Sequence, residues 1–107
     1  MKMIMYFNLK TGVDEEVFLS KAGELFRYLD GKVDGMGAVR LYKHAGFGAN
    51  PRTYQIHSEL REYAALDRLL NLMKSDGRAA SLFEENWWKL IDMDTHYDEF
   101  VRELPLP

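Results

Sequence analysis

The sequence predicts an α+β fold, and three observations predict it. Stretches of period-two alternation and stretches of helical spacing follow one another in the order strand, helix, strand, strand, helix, helix, strand. This is the ferredoxin-like split βαβ pattern, a four-stranded antiparallel sheet, with an extra helix before the last strand. Neither side of the strands is dominated by charge, so a sheet covered by helices on one face needs a second layer on the other. Finally, 107 residues at 47% hydrophobic and 13% aromatic content suit one compact domain spanning 1–107.

The first element is MKMIMYFNLK, where Met3, Met5, Phe7 and Leu9 alternate with Ile4, Tyr6 and Asn8. Both faces carry bulky or semi-polar groups, which predicts a central strand. Asp14 is suited to cap a helix, and Glu15 and Glu16 favour its positive N-terminal end. Phe18, Ala22, Leu25 and Leu29 give it one apolar stripe, and Gly31 stands where a C-terminal cap would end it. A second strand is predicted over Ala38 to His44, and AGFGANP is a strong loop signal before the third. Pairing Tyr42 with Gln55 would also pair Arg40 with His57, so that polar faces coincide. From Arg52 the chain alternates, then from Ser58 onward Tyr63, Leu66, Leu69, Leu70 and Met73 take helical spacing, predicting a strand leading directly into a helix. KSDG marks a break. Helical spacing resumes over Ala79 to Met93, and His96 to Leu104 alternates again as a fourth strand.

Charge and composition exclude several function classes. The chain has 14 basic and 17 acidic residues, interspersed and without a basic face, so nucleic acid is not expected as a partner. Cysteine is absent, which removes disulfides, thiolate metal sites and cysteine nucleophiles, and fits a cytoplasmic location. No apolar run reaches the roughly 18 residues of a membrane span, and Met1 to Leu9 lacks the small-residue cleavage pattern of a leader, so a soluble protein is expected. Phosphate-binding glycine loops, nucleophile elbows and HExxH motifs do not occur.

MYFNL in the first strand, YQIHSELREYAALDRLL, MKSDGRAASLFEENWW and the closing HYDEFVREL carry a resemblance that covers nearly the whole chain. The chain resembles the dimeric α+β barrel superfamily, which includes antibiotic-biosynthesis monooxygenases, haem-degrading monooxygenases, ethyl-tert-butyl-ether-degradation-type proteins and the NIPSNAP group. The resemblance implies a homodimer whose two sheets face each other, helices outside, and often a small cavity between sheet and helices in each subunit. Haem-degrading members combine an asparagine late in the first strand with a tryptophan ending the third and a histidine after the second helix. Asn8 matches the first, but His57 stands at the tryptophan position and no histidine lies near Ser81 or Leu82. The resemblance therefore implies no haem, and no cofactor is expected.

Under the pairing above, Tyr6, Asn8, Arg40, Tyr42, His44, Gln55 and His57 share one sheet face. That face could orient an acidic or enolisable ligand, with His57 as general base, Arg40 holding an oxyanion and Tyr42 polarising the substrate. Tyr6, Asn8, Gln55 and Trp87 would complete the binding site, inside a closed apolar cavity containing His57. The commoner arrangement of such residues is an ordinary polar seam or the lining of a dimer interface. Trp87 and Trp88 either wall an aromatic pocket or divide between core and interface. Asp92, Asp94 and His96 of DMDTH are metal-ligand types, but three donors from one loop leave a coordination shell unfinished, so no metal is expected. Two functions follow. One is a cofactor-independent monooxygenase or isomerase acting on a small aromatic or enolisable metabolite; the other is a non-catalytic dimeric ligand-binding or structural module.

Overall fold

The structure is a computed structural model that describes residues 1–46 and 52–107. Its strands are β1 (Lys2–Leu9), β2 (Arg40–Lys43), β3 (Tyr54–Glu59) and β4 (Ile91–Val101), joined in one antiparallel sheet of order β2-β3-β1-β4. Three helices, α1 (Glu15–Leu29), α2 (Ala64–Ser75) and α3 (Gly77–Phe83), lie on one face, and α3 runs into a π-helical turn at Glu84–Trp88. This is the ferredoxin-like α+β architecture with the extra helical piece before the last strand. Most of the loop AGFGANP, from Phe47 on, lies outside the described residues. The strands it connects pair antiparallel in the expected register, Arg40 with His57 and Tyr42 with Gln55.

α1 forms as its sequence dictates. The Asp14 carboxylate accepts the Glu16 amide proton at 2.8 Å, and Phe18, Ala22, Leu25 and Leu29 are its buried stripe. Gly31 takes φ +76°, a backbone conformation that a side chain would strain, so the helix ends there.

Three boundaries differ from the sequence expectation. β3 does not lead directly into α2: Leu60 bridges back to Met36, and the helix begins only at Ala64. Second, the final helical segment stops at Trp88 rather than continuing to Met93, because Ile91 is drawn into the core as the first residue of β4. Third, β4 covers Ile91–Val101 rather than His96 to Leu104, so DMDTH is strand, not loop. Its apolar spacing fits a helix locally, but pairing with β1 satisfies a row of backbone groups that a helix could not place beside the sheet.

The core sits between the sheet and α1. Phe7 is fully buried at its centre, with ring centroids 5.9 Å from Phe18, 5.9 Å from Tyr54 and 5.0 Å from Trp87. The Tyr54 hydroxyl donates to Glu15 Oε1 at 2.7 Å, and Lys43 Nζ pairs with the same oxygen at 2.8 Å. Burial, then the hydrogen bond to Glu15, pushes the Tyr54 phenol up from 10.0 to about 12. The fold therefore favours the protonated phenol. Its contribution is complete below the unfolded value of 10 and is lost as pH rises through about 12. Wild-type protein should lose stability over that interval faster than Tyr54→Phe, as measured by urea melts across the alkaline range; parallel curves would show that Tyr54 is not the linked group.

Asp76 joins α2 to α3. Its carboxylate accepts the amide protons of Arg78 at 2.9 Å and Ala79 at 3.1 Å, and the Tyr28 hydroxyl donates to it at 2.8 Å from the end of α1. The Tyr28 bond first, then the Ala79 amide, holds this carboxyl below the usual carboxylate range. Its contribution is present above the unfolded carboxyl value and is lost as pH falls through the depressed folded one. Asp76→Ala should lower the melting temperature by a few degrees, on the order expected for a lost helix cap. That difference should shrink toward acid pH, where the wild-type cap is itself protonated.

Candidate functional site

Two concavities lie on opposite faces of the sheet. The first is an apolar cavity of about 220 Å³ between the sheet and the helices. Met3 and Met5 of β1 and Ile56 of β3 form its floor, while Leu69, Leu70 and Met73 of α2 lie over it. These α2 residues sit on the stripe read from the sequence, yet Ala65 alone of that helix is fully buried. The helix therefore spans the cavity rather than filling it.

The wall is aromatic. In an α-helix adjacent residues diverge by about 100°, so Trp87 and Trp88 would be expected to part company. The π-helical turn widens the spiral at these positions, and both indoles line the cavity. Trp87 packs into the core at 5.0 Å from Phe7 and 5.3 Å from Phe26, and Trp88 lies over Phe83 at 6.2 Å.

β4 supplies the titratable groups of the cavity lining, His96 and Asp98. The β1–β4 register slips between Tyr6/Tyr97 and Asn8/Asp92, leaving Met93 to His96 as a bulge. Thr95 fastens it: its hydroxyl donates to the Asp92 carbonyl at 2.6 Å and accepts the Asn8 amide proton at 2.9 Å. At the end of the bulge, His96 and Asp98 fall two residues apart on the helix-side face, His96 Nε2 lying 3.4 Å from Asp98 Oδ2. A carboxylate there can fix the ring's orientation. DMDTH thus contributes a histidine to an apolar cavity; among the described residues no group of three or more potential ligands gathers for a metal.

The second concavity, about 190 Å³, is a polar hollow on the open face, lined by Lys2, Arg40, Tyr42, His57 and Glu59 among others. The His57 ring lies 4.3 Å from the Tyr42 ring, and its Nε2 is 2.6 Å from Gln55 Oε1. Burial first, then the nearby Lys2 charge, lowers the His57 pKa, which keeps this imidazole neutral at pH 7. Tyr6 stacks on Tyr97 at 4.6 Å and donates to Glu99 at 3.0 Å, and Arg52 lies 4.8 Å over the other ring of that pair, Tyr97. Asn8 is engaged structurally, its Oδ1 accepting the Thr53 amide proton at 2.7 Å. His44 stands at the strand end, bonded to the Gly46 carbonyl at 2.8 Å.

The open face therefore gathers Tyr6, Asn8, Arg40, Tyr42, Gln55 and His57, whereas Trp87 belongs to the other side of the sheet. The hollow at His57 is polar and open, not the closed apolar cavity expected from the sequence. The apolar cavity and its histidine lie where the helices are. Reading the parity of HYDEF, with His96, Asp98 and Phe100 on one face and Tyr97 and Val101 on the other, is the signal that would have located them.

No protein-family model matches the chain, and no curated protein matches it. Solved structures do. A protein from Arabidopsis thaliana aligns over 98% of both chains at 13% identity with a TM-score of 0.67. A dabb family protein with a ferredoxin-like fold from Mesorhizobium loti aligns over 99% of this chain and 96% of its own, at 12% identity and TM-score 0.59. A hydroxynitrile lyase from Passiflora edulis aligns over 98% of this chain and 95% of its own, at 14% identity and TM-score 0.57. Further matches are described as dimeric ferredoxin-like proteins of unknown function. At these identities the likeness is one of fold, and in fold this chain is a ferredoxin-like α+β protein.

Proposed function

We propose that this protein binds a small, largely apolar aromatic or enolisable metabolite in the cavity under α2 and moves a proton on it with His96, without a cofactor. The observation that supports this reading is the cavity itself: methionine and aromatic walls with one imidazole and one carboxylate at its edge. Apolar walls desolvate a substrate and leave its acidic proton facing the imidazole at the cavity edge. His96 would take that proton and return it at another atom, an isomerisation, with Asp98 holding the imidazolium. The same carbanion is the species that dioxygen attacks in a cofactor-independent oxygenation, the monooxygenase form of this reading. That a protein of similar fold and size is a hydroxynitrile lyase favours catalysis over passive binding. The cytoplasm is the compartment we assign, from the absence of cysteine.

On this reading His57, Arg40 and Tyr42 are not the reacting groups. We assign them, with Tyr6 and Gln55, to a homodimer interface through the open sheet face, as in the matches described as dimeric. The binding half is tested by thermal shift with a panel of aromatic ketones, phenols and aromatic cyanohydrins. A ligand at a hundred times its dissociation constant should add about 2.7 kcal/mol to stability. Met73→Trp, which places an indole in the cavity, should abolish the shift. A panel without a single shift, or shifts that survive Met73→Trp, would remove the cavity as the site.

A further inference from the structure

The open sheet face is not evenly charged. Along one cross-strand row stand Arg40, His57, Ile4 and Glu99, so the β2 edge is cationic and the β4 edge anionic. Lys2 joins Arg40 and His57 around the polar hollow, with the Glu59 carboxylate as its one anionic group, so the two fixed cations outnumber it. Among the described residues neither Lys2 nor Arg40 has an ion-pair partner. The next row reads Tyr42, Gln55, Tyr6 and Tyr97, three phenol rings and one carboxamide. A face of this composition is suited to a partner with complementary order.

We propose that the occupant of the hollow is the Glu99 carboxylate of a second copy of this chain. This rests on the homodimer reading above and adds its register. Strands are about 4.8 Å apart, so Arg40 and Glu99 stand roughly 14 Å from each other across one sheet. A twofold axis lying between the two sheets and parallel to the strands reverses strand order, bringing each copy's β2 edge over the other's β4 edge. Each Arg40 then meets a Glu99 carboxylate, and each Tyr42 meets a Tyr97 ring. An axis across the strands would instead set Arg40 against Arg40 and Glu99 against Glu99. The two-residue charge pattern thus selects one of the two face-to-face arrangements. Tyr6 already donates to Glu99, which steadies that carboxylate before the second copy arrives.

Sedimentation equilibrium on wild type, Arg40→Glu, Glu99→Arg and the double variant tests the register. Each single reversal sets like charges together at both symmetry-related contacts and should weaken the dimer by on the order of a hundredfold. The double variant should recover to within about tenfold. Circular dichroism should show all four folded; a misfolded reversal is replaced by Arg40→Gln or Glu99→Gln, whose weakening should be smaller but in the same direction. A wild-type dimer indifferent to both reversals, or a double variant no tighter than the singles, overturns the register and leaves the dimer standing. A monomeric wild type removes the dimer reading itself. If that monomer's His57 ring resonances move on adding inorganic phosphate, a free anion occupies the hollow instead.

Discussion

Phe7→Ala is expected to destabilise the fold by about 3–5 kcal/mol, the range for truncating a fully buried phenylalanine. Phe7 has no exposed surface and stands in the central strand, touching Phe18 of α1, Tyr54 of β3 and Trp87 of the π-helical turn. Removing the ring deletes its transfer energy and three aromatic contacts, and leaves a void among rings held by three different elements, which can collapse only in part. That is a large share of the 5–15 kcal/mol typical of a domain. Phe7→Leu should recover most of it. Urea denaturation measures the loss; a cost near that of an exposed substitution would mean that the centre of the core lies elsewhere.

His96→Ala is expected to lower turnover of a cavity ligand by about 10²–10⁴-fold, the usual contribution of a positioned general base. Binding should change far less, because most of the cavity wall is apolar and keeps its contacts. His96→Gln, which keeps bulk without a base, should behave like alanine in turnover and like wild type in binding. Asp98→Asn is the sharper probe of the pair. Lying 3.4 Å from Nε2, Asp98 can hold the ring in place, so its removal should lower the rate while leaving ligand binding close to wild type. Unchanged turnover in His96→Ala would leave the cavity a binding site and favour the non-catalytic module. By contrast, His57→Ala should leave the chemical step intact and, through the open face, alter dimerisation.

The sequence by itself determined the elements whose signal is local. The α1 stripe and its Asp14 cap and the alternation of β1 and β3 could be read because each depends on neighbours within a turn or along one strand, whereas the pairing of Arg40 with His57 was one assumed register that the hairpin then took. The open face was likewise legible, since a strand's parity fixes which side chains travel together. Only the tertiary structure decided the rest. Ile91 and Met93 carry helical spacing, yet the free edge of β1 draws them into β4, because long-range backbone pairing outweighs local propensity. The bulge that sets His96 beside the cavity exists only against β1, and the π-helical turn that brings Trp87 and Trp88 to one wall only against the core. Which sheet face is roofed by helices decides where an apolar cavity forms. That choice is why the base we propose is His96 rather than His57, since desolvated space is made by packing between elements distant in the chain.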